Sequence, residues 1–217
     1  FNTDLEGDGA FICQNSWGDN FGENGFFYIS YYDTNIGTHN VVYTDIENTD
    51  NYDHIYQSDL CGWVGQLGYN KDSIYGANVF TAEGNETLKA ASFYATGKDS
   101  QYELYVVRQF EDETSLEKMI PVASGKLGNA GYYTVDFNQG IEVDAGERYA
   151  VVLYIITPGS VHPMAIEYAA DEATENVDLD DGESYISANG SKWVSVDTVE
   201  KSNLCICLLY TSDAADD

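Results

Sequence analysis

The nine residues "RYAVVLYII" at 148–156 decide how the rest of the chain is read. They are apolar at successive positions, so a strand built from them is covered on both faces and belongs in the middle of a sheet. Similar short runs of aromatic and β-branched residues lie on either side. Before it come "GANVFTA" at 76–82, "LKAASFYAT" at 88–96, "QYELYVVRQF" at 101–110 and "GYYTVDF" at 131–137. After it come "MAIEYA" at 164–169, "ESYISAN" at 183–189 and "KWVSV" at 192–196. Gly, Asn and Asp punctuate these runs, and no long stretch carries apolar residues at helical spacing. Regularly spaced short strands of this kind predict an antiparallel β-sandwich or jelly roll. In "QYELYVV", Glu103 is expected to point outward. In "SANGSKW", Asn189-Gly190 predicts a two-residue hairpin between two short strands.

Composition removes several classes of function. The chain has 217 residues, 43% of them apolar, which is enough for a packed core in one large domain or two small ones. Its formal net charge is −28, with nine Lys plus Arg. Such a surface repels phosphate backbones and anionic lipids, so neither nucleic acid nor a membrane surface is an expected partner. No apolar run approaches the ~20 residues that span a bilayer. The opening "FNTDLEGDGAF" lacks the basic and apolar regions of a signal peptide. Cys13, Cys61, Cys205 and Cys207 form neither a disulfide framework nor a zinc pattern. Cys13 and Cys205 read as small buried apolar residues, and the C-x-C spacing puts Cys205 and Cys207 on one side of a strand. No cofactor is expected.

A second kind of pattern occupies the N-terminal part. "GAFICQNSWGDNFGENGFFYISYYD" at 9–33 is an apolar strand, a loop dense in Gly and Asn, and an aromatic strand. Asn15 and Trp17 sit where the first strand ends. The string Asn15-Ser16-Trp17-Gly18, followed by Gly22-Glu23-Asn24-Gly25, resembles the segment around the catalytic Asn of papain-like cysteine peptidases. That resemblance implies a Cys-His-Asn triad cleaving peptide bonds, with Asn15 orienting the histidine and Trp17 shielding the Asn–His hydrogen bond from water. The residue types suit those roles. An Asn carbonyl accepts a ring N–H and fixes the imidazole tautomer without adding charge. An indole over that bond lowers the local dielectric and strengthens it.

The nucleophilic Cys and the His of that family precede the Asn. Here fourteen residues precede Asn15, none of them His, and His39, His54 and His162 all follow it. Cys13 is two positions from Asn15 on the same strand and cannot be the nucleophile; Gln14 is not the oxyanion-hole Gln. The chain therefore resembles the C-terminal part of such a peptidase, cut just after its His.

Beyond the motif, "IYQSDLCGW" at 55–63, "YGANVFTAEGNETLKAASFYAT" at 75–96 and "DAGERYAVVL" at 144–153 resemble the lectin-like domain that follows the catalytic domain in a group of bacterial papain-like peptidases. The expected organisation is a mainly β chain. Residues 1–48 end a papain-like domain, as the remnant of its β-barrel half. The acidic "DIENTDNYDHIYQSD" places a linker at 49–60, and residues 61–206 form the lectin-like β-sandwich. "CLLYTSDAADD" at 207–217 resembles the translated read-through of a sequencing adaptor and is expected to be a non-native tail.

Weaker signals are set against plainer ones. "DLEGDGAF" spaces Asp4, Glu6, Asp8 and Gly9 like the start of a calcium loop, but its twelfth position is Asn15 instead of Glu, so a surface loop is expected. "DLDDGE" at 178–183 has its Gly one position early and reads as part of a solvated acidic loop. Asn85 and Asn189 fit the glycosylation pattern and are expected to be unused in a bacterial protein. The expected partners are a peptide or protein substrate of the parent enzyme and glycans at the second domain, in a secreted or surface-bound bacterial protein. The competing reading is a non-enzymatic binding module carrying a peptidase remnant.

Overall fold

The computed structural model describes residues 9–37, 41–44, 46 and 48–212. The chain divides into two compact units, Phe1–Asn48 and Thr49–Asp217.

In the first unit, β1 (Ala10–Gln14) and β2 (Phe26–Ser30) form an antiparallel pair with Ala10 opposite Ser30 and Gln14 opposite Phe26. The loop between them turns back through glycines. Gly22 has φ +69, and a Cβ there would run into the Phe26 carbonyl. Only glycine takes that conformation without strain.

The second unit is almost wholly strand. In chain order it contains β3 (His54–Tyr56), β4 (Gly65–Leu67), β5 (Ser73–Thr81), β6 (Glu86–Ala95), β7 (Ser100–Val107), β8 (Ile120–Leu127), β9 (Gly131–Val143), β10 (Arg148–Ile156), β11 (Met164–Glu167), β12 (Glu183–Ser187), β13 (Val194–Ser195), β14 (Asn203–Leu204) and β15 (Ile206–Ser212). Short 3-10 turns at Glu113–Glu117 and Val196–Thr198 are the helical elements among the described residues. A six-stranded sheet runs in the order β13-β12-β5-β10-β7-β8. Facing it are a three-stranded sheet, β14-β11-β4, and a four-stranded sheet, β3-β15-β6-β9. All the pairings are antiparallel.

The strand expected to be central is central. β10 pairs with β5 on one side and β7 on the other, and Val151, Leu153 and Ile155 point into the core beside Ile74, Leu104, Phe93 and Ile206. Ala150 and Val152 face the other way, where Phe110 and Leu116 cover them in a second, smaller cluster. Glu103 is exposed, as expected. Among the buried polar residues, Asn78 on β5 donates to the carbonyls of Leu204 and Ile206 at 3.0 and 2.8 Å and accepts from Ser184 at 2.7 Å. It thus ties the six-stranded sheet to the segment where β14 passes into β15.

Three expectations are corrected. The acidic stretch 49–60 is not a bare linker: β3 pairs with β15, Tyr56 stacks on Tyr210 at 4.7 Å, and Ser58 and Asp59 are buried. Its few apolar residues find a sheet supplied from the far end of the chain. The sandwich does not end near Ile206, since β15 runs to Ser212 with Cys207, Leu208 and Tyr210 buried. Ile206, Leu208 and Tyr210 alternate into the core, and the strand fills the space between β3 and β6. Asp213–Asp217 lie outside the described residues. The connection between β12 and β13 is longer than two residues because Asn189 caps it, its side chain accepting from the Ser191 and Lys192 N–H groups.

Candidate functional site

Asn15 is the first residue past β1. Its N–H donates to the Gly25 carbonyl at 2.9 Å, extending the ladder by one bond. Its side-chain amide donates to the carbonyls of Gly25 at 2.9 Å and Phe21 at 3.3 Å. Its side-chain carbonyl accepts the Trp17 N–H at 2.7 Å, the local turn that Asn forms with the residue two places on. The loop thus holds the Asn15 side chain at three points. An amide oxygen has two lone pairs, and Trp17 takes one. The second is available to accept an imidazole N–H.

Trp17 is 77% exposed and packs edge-on against Phe21 of its own loop, with ring centroids 5.2 Å apart. Phe21 packs in turn on Phe27. Asn15 and Trp17 are thus joined by one local hydrogen bond. His39 lies outside the described residues, as do Asp4, Glu6 and Asp8, and His54 and His162 belong to the second unit. Cys13 is partly buried and free.

The second unit holds a polar group that the sequence did not announce. Asp59, Glu167 and Asn203 are 1%, 0% and 1% exposed. The Asn203 side-chain nitrogen lies 2.8 Å from the Ser58 carbonyl, 3.2 Å from Glu167 Oε1, 3.0 Å from the Asp178 carbonyl and 3.0 Å from Asp181 Oδ1. An amide nitrogen has two protons, so it satisfies two of these four oxygens. The two ends of an amide are told apart by their hydrogen bonds. Among the described residues no three His, Cys, Asp or Glu side chains are grouped to hold a metal.

Glu167 also accepts the Cys61 N–H. The loop expected to be solvated is mostly so, yet the oxygens of Asp178 and Asp181 turn inward. Asp59 accepts the Cys207 thiol at 3.1 Å. Burial pushes its carboxyl above the usual carboxylate range, against the opposing pull of that thiol. The Cys205 and Cys207 thiols are both pushed up, first by burial and then by the Asp59 charge, so they are poor nucleophiles. The signal for this group was an isolated acid or amide inside an apolar run, in "MAIEYA" and "SNLCI". Such a residue must find buried partners.

The layered antiparallel sheets of the second unit define a β-sandwich domain. Residues 55–208 match the model of the lectin-like domain family, and since they make up most of the chain, the chain belongs to that family. Comparison with curated proteins gives no match. Among solved structures the fold is similar to that of the clostridial cysteine protease Cwp84 after propeptide cleavage. The TM-score is 0.79 at 24% identity, over 98% of this chain and 54% of that one. It is also similar to the cysteine protease and lectin-like domains of Cwp84, a surface layer associated protein of Clostridium difficile. There the TM-score is 0.75 at 23% identity, over 98% of this chain and 48% of that one. The chain thus spans about half the length of either structure, and at this identity the likeness is one of fold.

Proposed function

We propose that this chain is the C-terminal part of a secreted or surface-bound papain-like cysteine peptidase. It supplies the orienting Asn of a Cys-His-Asn triad and a lectin-like domain that binds glycans. The observation that carries the first part is the Asn15 carbonyl, held at the end of β1 within Asn-Ser-Trp-Gly with one lone pair to offer. The fold likeness to structures described as a cysteine protease supports it.

In this reading a thiolate and a His from outside these residues carry out attack, acyl-enzyme formation and hydrolysis. Asn15 touches neither substrate nor thiolate. It holds the imidazole in one tautomer, and Trp17 covers that bond once the His is seated. In the parent enzyme Asn15→Ala is expected to lower kcat on the order of tenfold or more, short of the ~10⁴-fold seen when a charged orienter is lost, with KM little changed. Trp17→Ala acts in the same direction and less strongly. An unchanged kcat in Asn15→Ala would make the motif structural. In the second reading the chain acts through its lectin-like unit alone, and a parent protein that hydrolyses no fluorogenic peptide with thiol present would establish it.

A further inference from the structure

We propose that the outer face of the six-stranded sheet, across β10, β7 and β8, binds one pyranose ring of a neutral oligosaccharide. The assignment rests on the lectin-like reading above and gives it a place.

Successive side chains of a strand point to opposite faces. On the outer face, Ala77, Val79, Ala150 and Val152 are covered by Phe110 and Leu116. That cover stops one row short. The next row pairs Ser187 with Tyr75, Tyr75 with Tyr154, Tyr154 with Glu103 and Glu103 with Ser124. The row after it pairs Ile156 with Gln101 and Gln101 with Lys126. Residues of these two rows, with the Tyr102–Gly125 pair between them, line a cleft of about 270 Å³, to which Tyr154 and Ile156 bring apolar surface and Gln101, Glu103, Ser124 and Lys126 polar groups. That is just under the range of roughly 300–1,000 Å³ typical of small-molecule sites, and it suits a single ring.

Tyr154 is braced from the side. Tyr75 stacks on Tyr154 with centroids 4.2 Å apart and planes 21° from parallel. Trp193 meets Tyr75 edge-on at 6.2 Å, and a Cβ at Gly190 would stand 3.1 Å from the Tyr75 ring. A fixed aromatic surface binds an apolar sugar face with little ordering cost. The polar groups offer what ring hydroxyls need. Gln101 donates and accepts, Ser124 does both, Lys126 donates, and Glu103 accepts while also taking the Tyr105 hydroxyl. One acid against one base leaves the cleft near neutral, and the net charge of −28 disfavours acidic glycans. A protein partner would need about 800 Å² with an apolar centre, far more than these two side chains provide.

The test is calorimetric titration of the 217-residue chain with cellotetraose, mannotetraose, tetra-N-acetylchitotetraose and sialyllactose. At least one of the three neutral tetraoses is expected to bind. Tyr154→Ala should weaken it about tenfold. Glu103→Ala, at an exposed position, should weaken it by about fivefold and keeps the test valid if Tyr154→Ala fails to fold. Tyr132→Ala, which removes a ring from the separate Trp63–Tyr94–Tyr132 cluster, should leave binding unchanged. Binding that survives both outer-face variants, or that is lost in Tyr132→Ala, overturns the face and spares the lectin-like reading. Binding of sialyllactose alone overturns the neutral class. Binding of none of the four at millimolar concentration removes the lectin-like reading itself.

Discussion

Two strand pairs in this chain are built from the same kind of residue and meet opposite fates. In β5 and β10, Ile74, Val151, Leu153 and Ile155 are 0–1% exposed. In β1 and β2, Ile12 is 68%, Tyr28 56% and Phe11 49% exposed. Aromatic and β-branched residues suffice to make either pair extended, because strand propensity acts locally. Burial does not follow from propensity. It needs a second layer facing the first, which the sandwich supplies for β5 and β10 from strands up to the end of the described chain. A two-stranded hairpin alone is marginal in water.

The contrast is broken most directly by matched truncations. Leu153→Ala should cost roughly 3–4 kcal/mol, as a large-to-small change with little room to relax. Ile12→Ala should stay within about 0.5 kcal/mol. Urea unfolding of the two variants reads both, and equal losses would erase the distinction.

Glu147 sharpens the contrast within the sandwich. Its carboxylate accepts from Arg108 Nε at 2.9 Å and from a second guanidinium nitrogen, and from the Gln109 N–H at 3.2 Å. The Arg108 bond, above all, holds that carboxyl below its ordinary value. The stabilisation is therefore present above the unfolded carboxylate value and is lost as pH falls through the lower folded one. Glu147→Gln should cost about 1–2 kcal/mol near pH 7, discounted because the Arg108 side chain is 36% exposed. The gap from the parent chain should close towards pH 3 in denaturant titrations. Asp59 runs the other way: its raised value makes its contribution fall as pH climbs from the unfolded value through the folded one. Asn15→Ala should cost less, about 0.5–1 kcal/mol from lost loop bonds. Faster amide exchange at Trp17 with β10 unchanged would show that the loop is tied locally.

What was legible in the sequence is what depends on neighbours in the sequence. "RYAVVLYII" declares a central strand because its apolar residues leave no face for water. Asn15 declares its turn because the bond it makes reaches two residues on. β3 was missed because three residues, His54–Tyr56, carry no strand signal of their own and owe their place to β15. The Asn203 group was missed for the same reason: Ser58, Glu167 and Asp181 are scattered along the chain and only the closed sandwich collects them. At β12–β13 the Asn-Gly signal was read correctly as a turn but not for its length, which Asn189 sets through its own side chain.

The placing of β15 between β3 and β6 also has a meaning in time. Tyr56 pairs with Leu208, and Asp53 reaches Ser212 across 159 positions of sequence. A ribosome working at about 5–20 residues per second needs roughly 8–30 s to make that stretch. Through the later part of that interval β6, complete at Ala95, waits with one edge unpaired, an open invitation to pair with a second nascent chain. The four-stranded sheet closes only as β15 arrives, so the risk from this open edge falls during synthesis and not during the domain's working life.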